Sequence, residues 1–371
     1  MRAEAELARR LVPLAGRRRR RAAFAGMLAL SAAMGGAGCA PWPEPTTPGS
    51  PSPGTTRRSP DDADLAALVP AGVQTVIELD LDQLRRSPFT AEALANPDAV
   101  GRERSAFALG VDATADLDRV VYATGGVGPD APTLVIAQGR IRYANVEAAF
   151  RERHPRATTD AWHGLPVLAS GESALAALSP RTFVSGPPVQ VRAAIDRAFG
   201  LGQDFRDPPS DAGKTKARGR GQGQRQDHGV VRRDLLGVAG NAAPAVLITM
   251  SLDEGLRARV GDALPLPREL GTVGLRLDLG ESLDLRALGL LDDRDAAAIL
   301  ARRLGALIAD RDTRHALGTF GLGSLVDGAK VAAEGARVRV TITVGPDQRT
   351  ALAAALRALA TALRTGTEPR P

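Results

Sequence analysis

Cys39 is the residue with the most distinctive chemistry, because it is the single cysteine among 371 residues and follows an export-type sequence. Five consecutive arginines, Arg17 to Arg21, precede a mildly apolar run from Ala22 to Ala33. The three residues directly before the cysteine are glycine or alanine. A positively charged start, a short apolar run and small residues before a cut are the parts of an export signal.

This arrangement resembles the signal peptides of bacterial lipoproteins, and the resemblance covers residues 1–39. It implies that residues 1–38 are removed, that Cys39 becomes an acylated first residue, and that the protein is anchored in the cell envelope. Because Ala40 rather than aspartate follows the cysteine, the resemblance favours the outer membrane, facing the periplasm or the exterior. The alternatives are a soluble secreted or periplasmic protein and a retained anchor. The 17 residues from Ala22 to Gly38 fall short of the about 20 apolar residues that span a bilayer.

Two other stretches match enzyme motifs only in part. Gly213-Lys214-Thr215 matches the end of a phosphate-binding loop, but Pro208 stands where that motif requires glycine. Gly171-Glu172-Ser173-Ala174-Leu175 begins like the nucleophile elbow of a hydrolase, but its fifth residue is leucine instead of glycine. We therefore expect no cofactor, and we interpret the first stretch as solvated linker rather than as an arginine- and glycine-rich nucleic-acid tail.

The histidines offer at most one partial acid–base or metal site. They are His154, His163, His228 and His315. Asp160 and His163 are three residues apart, but no second pair has metal-ligand spacing, so we predict no metal site. A hydrolase would have to gather His163, Asp160 and Ser173 around one pocket. We interpret His163 instead as an exposed turn residue, because Gly164 follows it.

The acidic residues have structural interpretations. Asp292, Asp293 and Asp295 lie at the start of a predicted helix, where negative charge complements the helix dipole, so capping explains them without a calcium site. Glu78 and Asp80 alternate with the apolar residues of a predicted strand. We expect both to face solvent, where they could form part of a binding surface.

The net charge of +6 does not indicate nucleic-acid binding. Eight arginines and two glutamates in residues 1–38 account for all of it, so the remainder of the chain is neutral. Aromatic residues make up 3% of the chain, which is few for the stacking platforms that bind single-stranded nucleic acid. We expect no nucleic-acid partner.

Composition and periodicity divide the chain into six segments. Residues 39–63 form a proline-rich tether and residues 366–371 a disordered tail. Residues 64–200 and 234–365 each read as strand, helix, hairpin, helix, hairpin, helix, ending in the last copy with an apolar stripe of leucines at 352, 356, 359 and 363. Residues 201–233 lack apolar periodicity, so we predict a flexible linker or long loop there.

This order predicts an α+β fold of two similar modules, each a mainly antiparallel sheet with helices packed on one face. Whether the two modules share one sheet is open at this level. The body resembles uncharacterised exported bacterial proteins built from duplicated α+β modules, on the evidence of the strand that runs from Val69 to Asp80 and the helix after it.

The leading hypothesis is a lipid-anchored envelope protein without enzymatic activity, whose body binds a partner protein or a small ligand. A cleft between the two modules would be a natural place for that partner. The alternatives are a structural spacer without a ligand and an envelope hydrolase whose site the sequence does not reveal.

Overall fold

The computed structural model describes residues 64–91, 111–126, 131–201, 220–237, 243–252, 267–318 and 327–350, with the single positions 254, 257 and 323. The leader, Cys39, the proline-rich tether, the Gly213-Lys214-Thr215 stretch and the leucine stripe after residue 350 lie outside these residues. No helix in the described part is long and apolar enough to cross a membrane.

The described residues form one sheet of twelve strands, in the order β11-β12-β10-β9-β8-β1-β2-β3-β7-β6-β5-β4. Every neighbouring pair is antiparallel. The strands are β1 Thr75–Asp80, β2 Leu117–Thr124, β3 Thr133–Gly139, β4 Thr158–Trp162, β5 Leu165–Ser170, β6 Ser173–Ala177, β7 Thr182–Gly186, β8 Val246–Ser251, β9 Leu270–Leu279, β10 Leu283–Leu291, β11 Lys330–Glu334 and β12 Arg337–Val344.

Seven α-helices accompany this sheet in the described part of the chain. They are α1 Leu81–Arg86, α2 Ala113–Asp116, α3 Tyr143–Arg153, α4 Pro188–Ala198, α5 Arg220–Gly237, α6 Arg294–Ala309 and α7 Arg311–Gly318, and short 3-10 helices lie at Leu65–Leu68 and Pro346–Gln348. The predicted α+β class and the antiparallel pairing are confirmed.

One continuous sheet replaces the two separate sheets that two modules would have. β1 of the first half pairs with β8 of the second half, with Thr75 opposite Met250 and Glu78 opposite Leu247. This pairing satisfies main-chain groups that would otherwise form an open edge on each half. It also removes the predicted cleft at the junction, because the two halves meet through backbone hydrogen bonds.

Helices cover both faces of the sheet, so the prediction that they pack on one face is wrong. In β3, Leu134 and Ile136 belong to a core with α4 and the helix Leu65–Leu68. Val135 and Ala137 point the other way, into a core with α3. β3 has four consecutive apolar residues, so it presents apolar side chains on both faces of the sheet. Strands with this pattern are buried on both sides.

We call the two sides the α5 face and the α3 face. The α5 face carries α4, α5 and the helix Leu65–Leu68, whereas the α3 face carries α1, α3 and α6.

Helix α5 occupies much of the segment that the sequence predicts to be a linker. Arg220–Gly237 is helical, and it packs on β8, β9 and β10. Its inward positions are His228, Val231, Arg232 and Leu235, all at most 8% exposed. They are spaced i, i+3, i+4 and i+7, which is one helical face. Two of these four residues are polar, so the stripe is invisible to a search for apolar periodicity.

Gly274 of β9 allows α5 to lie close to the sheet. A Cβ atom added there would lie 2.5 Å from Cγ1 of Val231 and 2.6 Å from Cδ1 of Leu235. Only glycine therefore lets α5 settle at this distance without displacing its side chains.

Candidate functional site

Two polar clusters stand out among the described residues, one at the rim of the sheet and one beneath α5. The first, which we call the hairpin tip, consists of Asp160, Trp162, His163, Arg192 and Asp196. The second, which we call the polar layer, consists of Asp64, Glu78, His228, Arg232, Thr249, Ser251, Thr272 and Arg276.

The hairpin tip is built on a two-residue turn between β4 and β5. His163 and Gly164 connect the paired residues Trp162 and Leu165, and their φ angles are +49° and +80°. Two successive positive φ angles are the pattern of a type I′ turn, whose twist matches that of the strands. Histidine tolerates this region better than most residues with a side chain. The turn predicted at His163 is confirmed, but the prediction that this residue is exposed is wrong, because its side chain is 11% exposed.

Helix α4 fixes the side chains of the turn. Oδ1 of Asp196 accepts a hydrogen bond from Nε1 of Trp162 at 2.7 Å and lies 2.8 Å from Nε2 of His163. The guanidinium of Arg192 lies 5.0 Å from the centre of the Trp162 ring and donates to Asp160 at 2.9 Å. One helix therefore holds both rings and the carboxylate in fixed positions on one side of the hairpin.

The three residues that a hydrolase would need do not meet. His163 lies in the turn that precedes β5, whereas Ser173 pairs with Ser170 at the other end of this strand. The six residues of β5 rise by about 3.3 Å each, which separates these ends by roughly 16 Å. Gly171, with a φ of +56°, and Glu172 form the turn between β5 and β6. Ser173 therefore begins a strand and does not lie on a strand-to-helix elbow.

Other acidic and histidine residues take structural roles. The Asp293 side chain accepts from the backbone N–H of Ala296 at the start of α6, which confirms helix capping. The ring of His154 lies 4.6 Å from that of Phe150, and His315 lies on α7. No group of three or more potential metal ligands occurs within the described residues.

The polar layer begins with Glu78, and here the sequence prediction is wrong. Glu78 does not face solvent, because Arg232 of α5 lies over it, with Nε 2.7 Å from Oε1. The same guanidinium reaches Asp64, where Nη2 is 2.9 Å from Oδ2. Asp80, the other residue predicted to be exposed, caps α1 by accepting from the backbone N–H of Gln83.

Electrostatics favour the charged form of Arg232 in this layer. Burial acts to lower the pKa of its guanidinium, but the hydrogen bonds and charges of Glu78 and Asp64 outweigh burial and raise that pKa above its ordinary value. The arginine is therefore a permanent cation that joins α5 to β1 and to the segment before the first 3-10 helix.

His228 and Ser251 form a buried pair one turn earlier on α5. Oγ of Ser251 lies 2.7 Å from Nε2 of His228, and each residue is 3% exposed. Burial lowers the pKa of His228 from 6.5 to about 4, so the imidazole is neutral at pH 7. A neutral imidazole in contact with a hydroxyl is the first half of a nucleophile–base arrangement.

The C-terminal end of α5 is held by Arg276, which is fully buried. Its Nη1 donates to the carbonyl oxygen of Leu235 at 3.0 Å, and its Nε is 2.8 Å from Asp278. A cation at a helix C-terminus complements the helix dipole. Arg337 adds an outer contact, 3.1 Å from Asp234.

Two hydroxyls in the polar layer have no hydrogen-bond partner among the described residues. They belong to Thr249, which is 1% exposed, and Thr272, which is fully buried. Thr272 lies directly opposite Ser251 in the β8–β9 ladder. Buried hydroxyls of this kind are commonly satisfied by ordered water.

The sequence predicts the turn of the hairpin tip but gives no indication of the polar layer. Trp162, His163 and Asp160 are close in the chain, so their turn can be recognised. Arg232 and Glu78 are separated by 154 residues, and no local pattern connects them. The signal that could have found α5 is the spacing of His228, Val231, Arg232 and Leu235.

Comparison with known proteins gives structural neighbours only. No family model and no curated protein matches the chain. The chain is similar to crystal form I of TP0453, with 12% sequence identity and a TM-score of 0.45 over 80% of this chain and 98% of that one. It is also similar to crystal form IV of TP0453, with 11% identity and a TM-score of 0.43 over 81% of this chain and 96% of that one.

Proposed function

We propose that this protein is a lipid-anchored protein of the cell envelope, without enzymatic activity, whose folded body binds a partner. The observation that carries the proposal is the position of Cys39, the single cysteine, directly behind an export-type leader and directly before a proline-rich segment. Acylation of its thiol anchors the protein, and residues 39–63 connect the anchor to the body that begins at Asp64.

The charge distribution supports this proposal. Removal of residues 1–38 takes away the whole net charge of +6, so the mature body is neutral and its attachment to a membrane depends on the lipid. Anchoring by one acyl chain is reversible, whereas two or more signals make it stable.

The hairpin tip is the binding surface that the geometry supports best. Tryptophan and arginine are enriched among the residues that dominate binding energy at protein interfaces. Trp162 is half-buried, and the side chain of Arg192 is 37% exposed. The hydrogen bond from Trp162 to Asp196 holds the indole ring in place. A surface whose side chains are already fixed loses little entropy when a partner binds.

The anchor is tested by replacing Cys39 with alanine in the full-length chain. We expect the variant to move from the membrane fraction to the soluble fraction, and the mass of the wild-type N-terminus to show an acylated Cys39. An Ala40→Ser variant, which keeps the thiol, is the matched control and should stay in the membrane. A Cys39→Ala variant that remains fully membrane-bound would contradict the anchor.

We also propose that the two halves arose by internal duplication. From the central pair outward, the first half runs β1-β2-β3-β7-β6 and the second runs β8-β9-β10-β12-β11. The third strand of each half leads into a helix on the α3 face, α3 or α6. In this proposal the β4–β5 hairpin is an addition to the first copy, and it carries the candidate binding surface.

A second candidate, an envelope hydrolase, is favoured by the contact between Ser251 and His228. In that case the neutral imidazole of His228 would take the proton of the Ser251 hydroxyl. A fluorophosphonate probe tests it, with Ser251→Ala as the control. Labelling of the wild type that is absent from the control would replace the binding proposal with the hydrolase.

A further inference from the structure

The outer side of β4 is an open edge of the sheet. Within the described residues β4 pairs only with β5, and it is the last strand of the order. Residues 158–161 are all exposed. An exposed edge presents a row of main-chain donors and acceptors, which other chains can pair with unless charges, prolines or bulges block it.

The turn fixes which main-chain groups of β4 point outward. In a two-residue hairpin, the residues that flank the turn are hydrogen-bonded to each other, and the pairs along the ladder then alternate. Trp162, Asp160 and Thr158 therefore direct their N–H and C=O groups toward β5, whereas Thr159 and Ala161 direct theirs outward. Pro166 agrees with this assignment, because it lies opposite Ala161 and has no N–H to donate.

A hydrogen bond at Ala161 supports the same assignment. Its backbone N–H donates to Oδ1 of Asp160 at 2.8 Å, so this N–H does not point into the β4–β5 ladder. The opposite edge of the sheet, β11, begins with Lys330 and ends with Glu334, which are the kind of charged residues that guard an edge strand. On β4 the charged residue is Asp160, whose side chain accepts from Arg192 and is 58% exposed.

We infer that β4 binds an extended segment of a second polypeptide, which adds to the sheet as a thirteenth strand beside Trp162 and Arg192. The inference rests on the proposed binding function and names its partner class. The incoming segment pairs with the outward main-chain groups of Thr159 and Ala161, as in other cases of strand addition, and it replaces Asp160 as the acceptor of the Ala161 N–H. Its side chains on the α5 face lie beside the Trp162 ring.

The partner is a different polypeptide and not a second copy of this chain. Two β4 strands that paired their outward residues antiparallel would place Thr159 opposite Ala161 on both sides. The two Asp160 carboxylates would then lie directly opposite each other. Like charges in that position are destabilising. A different segment can place a neutral or basic residue opposite Asp160.

The test uses the full-length anchored chain in cells, with a photo-crosslinking benzophenone side chain at Thr158. This residue is exposed and its main-chain groups face β5, so the substitution leaves the outward row intact. Thr159→Pro removes one outward N–H, and proline is tolerated on an edge strand. Thr159→Val is its matched control, because both variants lose the hydroxyl that accepts from Arg151. Ala161→Pro repeats the test at the second outward position.

We expect a discrete heteromeric adduct in the otherwise unmodified chain and in Thr159→Val. Thr159→Pro should weaken it by roughly fivefold or more, the effect of one lost backbone hydrogen bond. Ala161→Pro should weaken it by a smaller factor, because the N–H of Ala161 only exchanges Asp160 for the partner as its acceptor. An equal adduct in valine and proline variants would overturn strand addition, and an adduct of two copies of this chain would overturn the choice of partner. The unfolding temperature of each variant identifies a proline that disrupts folding, in which case the other proline variant decides.

A second crosslinking position separates this inference from the proposed function. Arg302 lies exposed on α6, far along the chain from β4. An adduct from Arg302 without one from Thr158 would overturn the strand-addition inference but leave the binding function standing. The absence of adducts at both positions would count against both.

Discussion

The hairpin tip and the polar layer use similar residues for opposite purposes. Each contains an arginine, a histidine and at least two carboxylates or hydroxyls in close contact. At the tip, the side chain of Arg192 is 37% exposed and bridges a ring and a carboxylate at the surface. In the polar layer, the side chain of Arg232 is 10% exposed and joins three elements that are distant in the chain.

The two clusters differ in the free energy of unfolding that is lost when one charged residue is removed. Exposed ion pairs contribute about 0–1 kcal/mol, because water replaces the missing partner. Removing one member of a buried pair leaves a desolvated charge and costs several times more. The polar layer therefore fixes α5 across the junction of the halves, whereas contacts at the tip can change at little cost to stability.

Loss of the Arg232 cation should have the largest effect. Arg232→Met leaves Glu78, whose side chain is 18% exposed, without its cation, and we expect a loss of about 3 kcal/mol in the free energy of unfolding by urea. This is at the low end for a broken buried pair, because the side chain of Asp64 is 42% exposed. Arg233→Met, on the exposed side of the same turn, should change stability by less than about 0.5 kcal/mol.

A double variant tests whether Arg232 and Glu78 contribute to stability as a pair. Adding Glu78→Met to Arg232→Met removes the unpaired carboxylate, and it should restore more than about 1 kcal/mol. A double variant as unstable as the sum of its singles would show that the pair does not act as a unit.

His228 should make the free energy of unfolding depend on pH. Its pKa is about 4 when folded and 6.5 when exposed, so the unfolded chain binds the proton more strongly between these values. Its contribution is fully present above pH 6.5 and is lost as pH falls toward 4. At about 1.36 kcal/mol per pKa unit, the loss reaches at most roughly 3 kcal/mol.

The matched variant is His228→Gln, which cannot take up a proton in this range. Because carboxylates also titrate near pH 4, the quantity to measure is the difference between wild type and variant from pH 7 to pH 4. A difference that stays constant over this range would show that His228 is not the group responsible.

Close packing of α5 gives a third prediction. Gly274→Ala places a methyl group against Val231 and Leu235, and overpacking of this kind costs about 1–3 kcal/mol. Val231→Ala in the same chain should recover part of that loss. Gly280→Ala is the control, because the nearest atom to its added methyl group lies at 3.9 Å, and urea unfolding should show little change.

The sequence predicts the fold where interactions are local and fails where they are distant. The hairpins, the capping of α6 by Asp293 and the turn at His163 depend on neighbouring residues, so each can be predicted. The covering of both faces and the pairing of β1 with β8 depend on residues far apart in the chain. The sequence does not predict helix α5 for a third reason. Its buried face contains His228 and Arg232 at positions where an amphipathic helix normally has apolar residues.

The smallest effects should occur at His163 in the hairpin tip. There the positive φ of the backbone favours asparagine, whereas the contact with Asp196 favours histidine. His163→Asn creates an Asn-Gly turn, the preferred type I′ pair, but it loses the contact with Asp196. We expect these to offset within about 0.5 kcal/mol in thermal or urea unfolding. His163→Val loses the same contact and forces a β-branched residue into positive φ, which costs about 1–2 kcal/mol. Because both variants lose the contact with Asp196, equal stability would show that the positive φ at position 163 does not limit the stability of the tip.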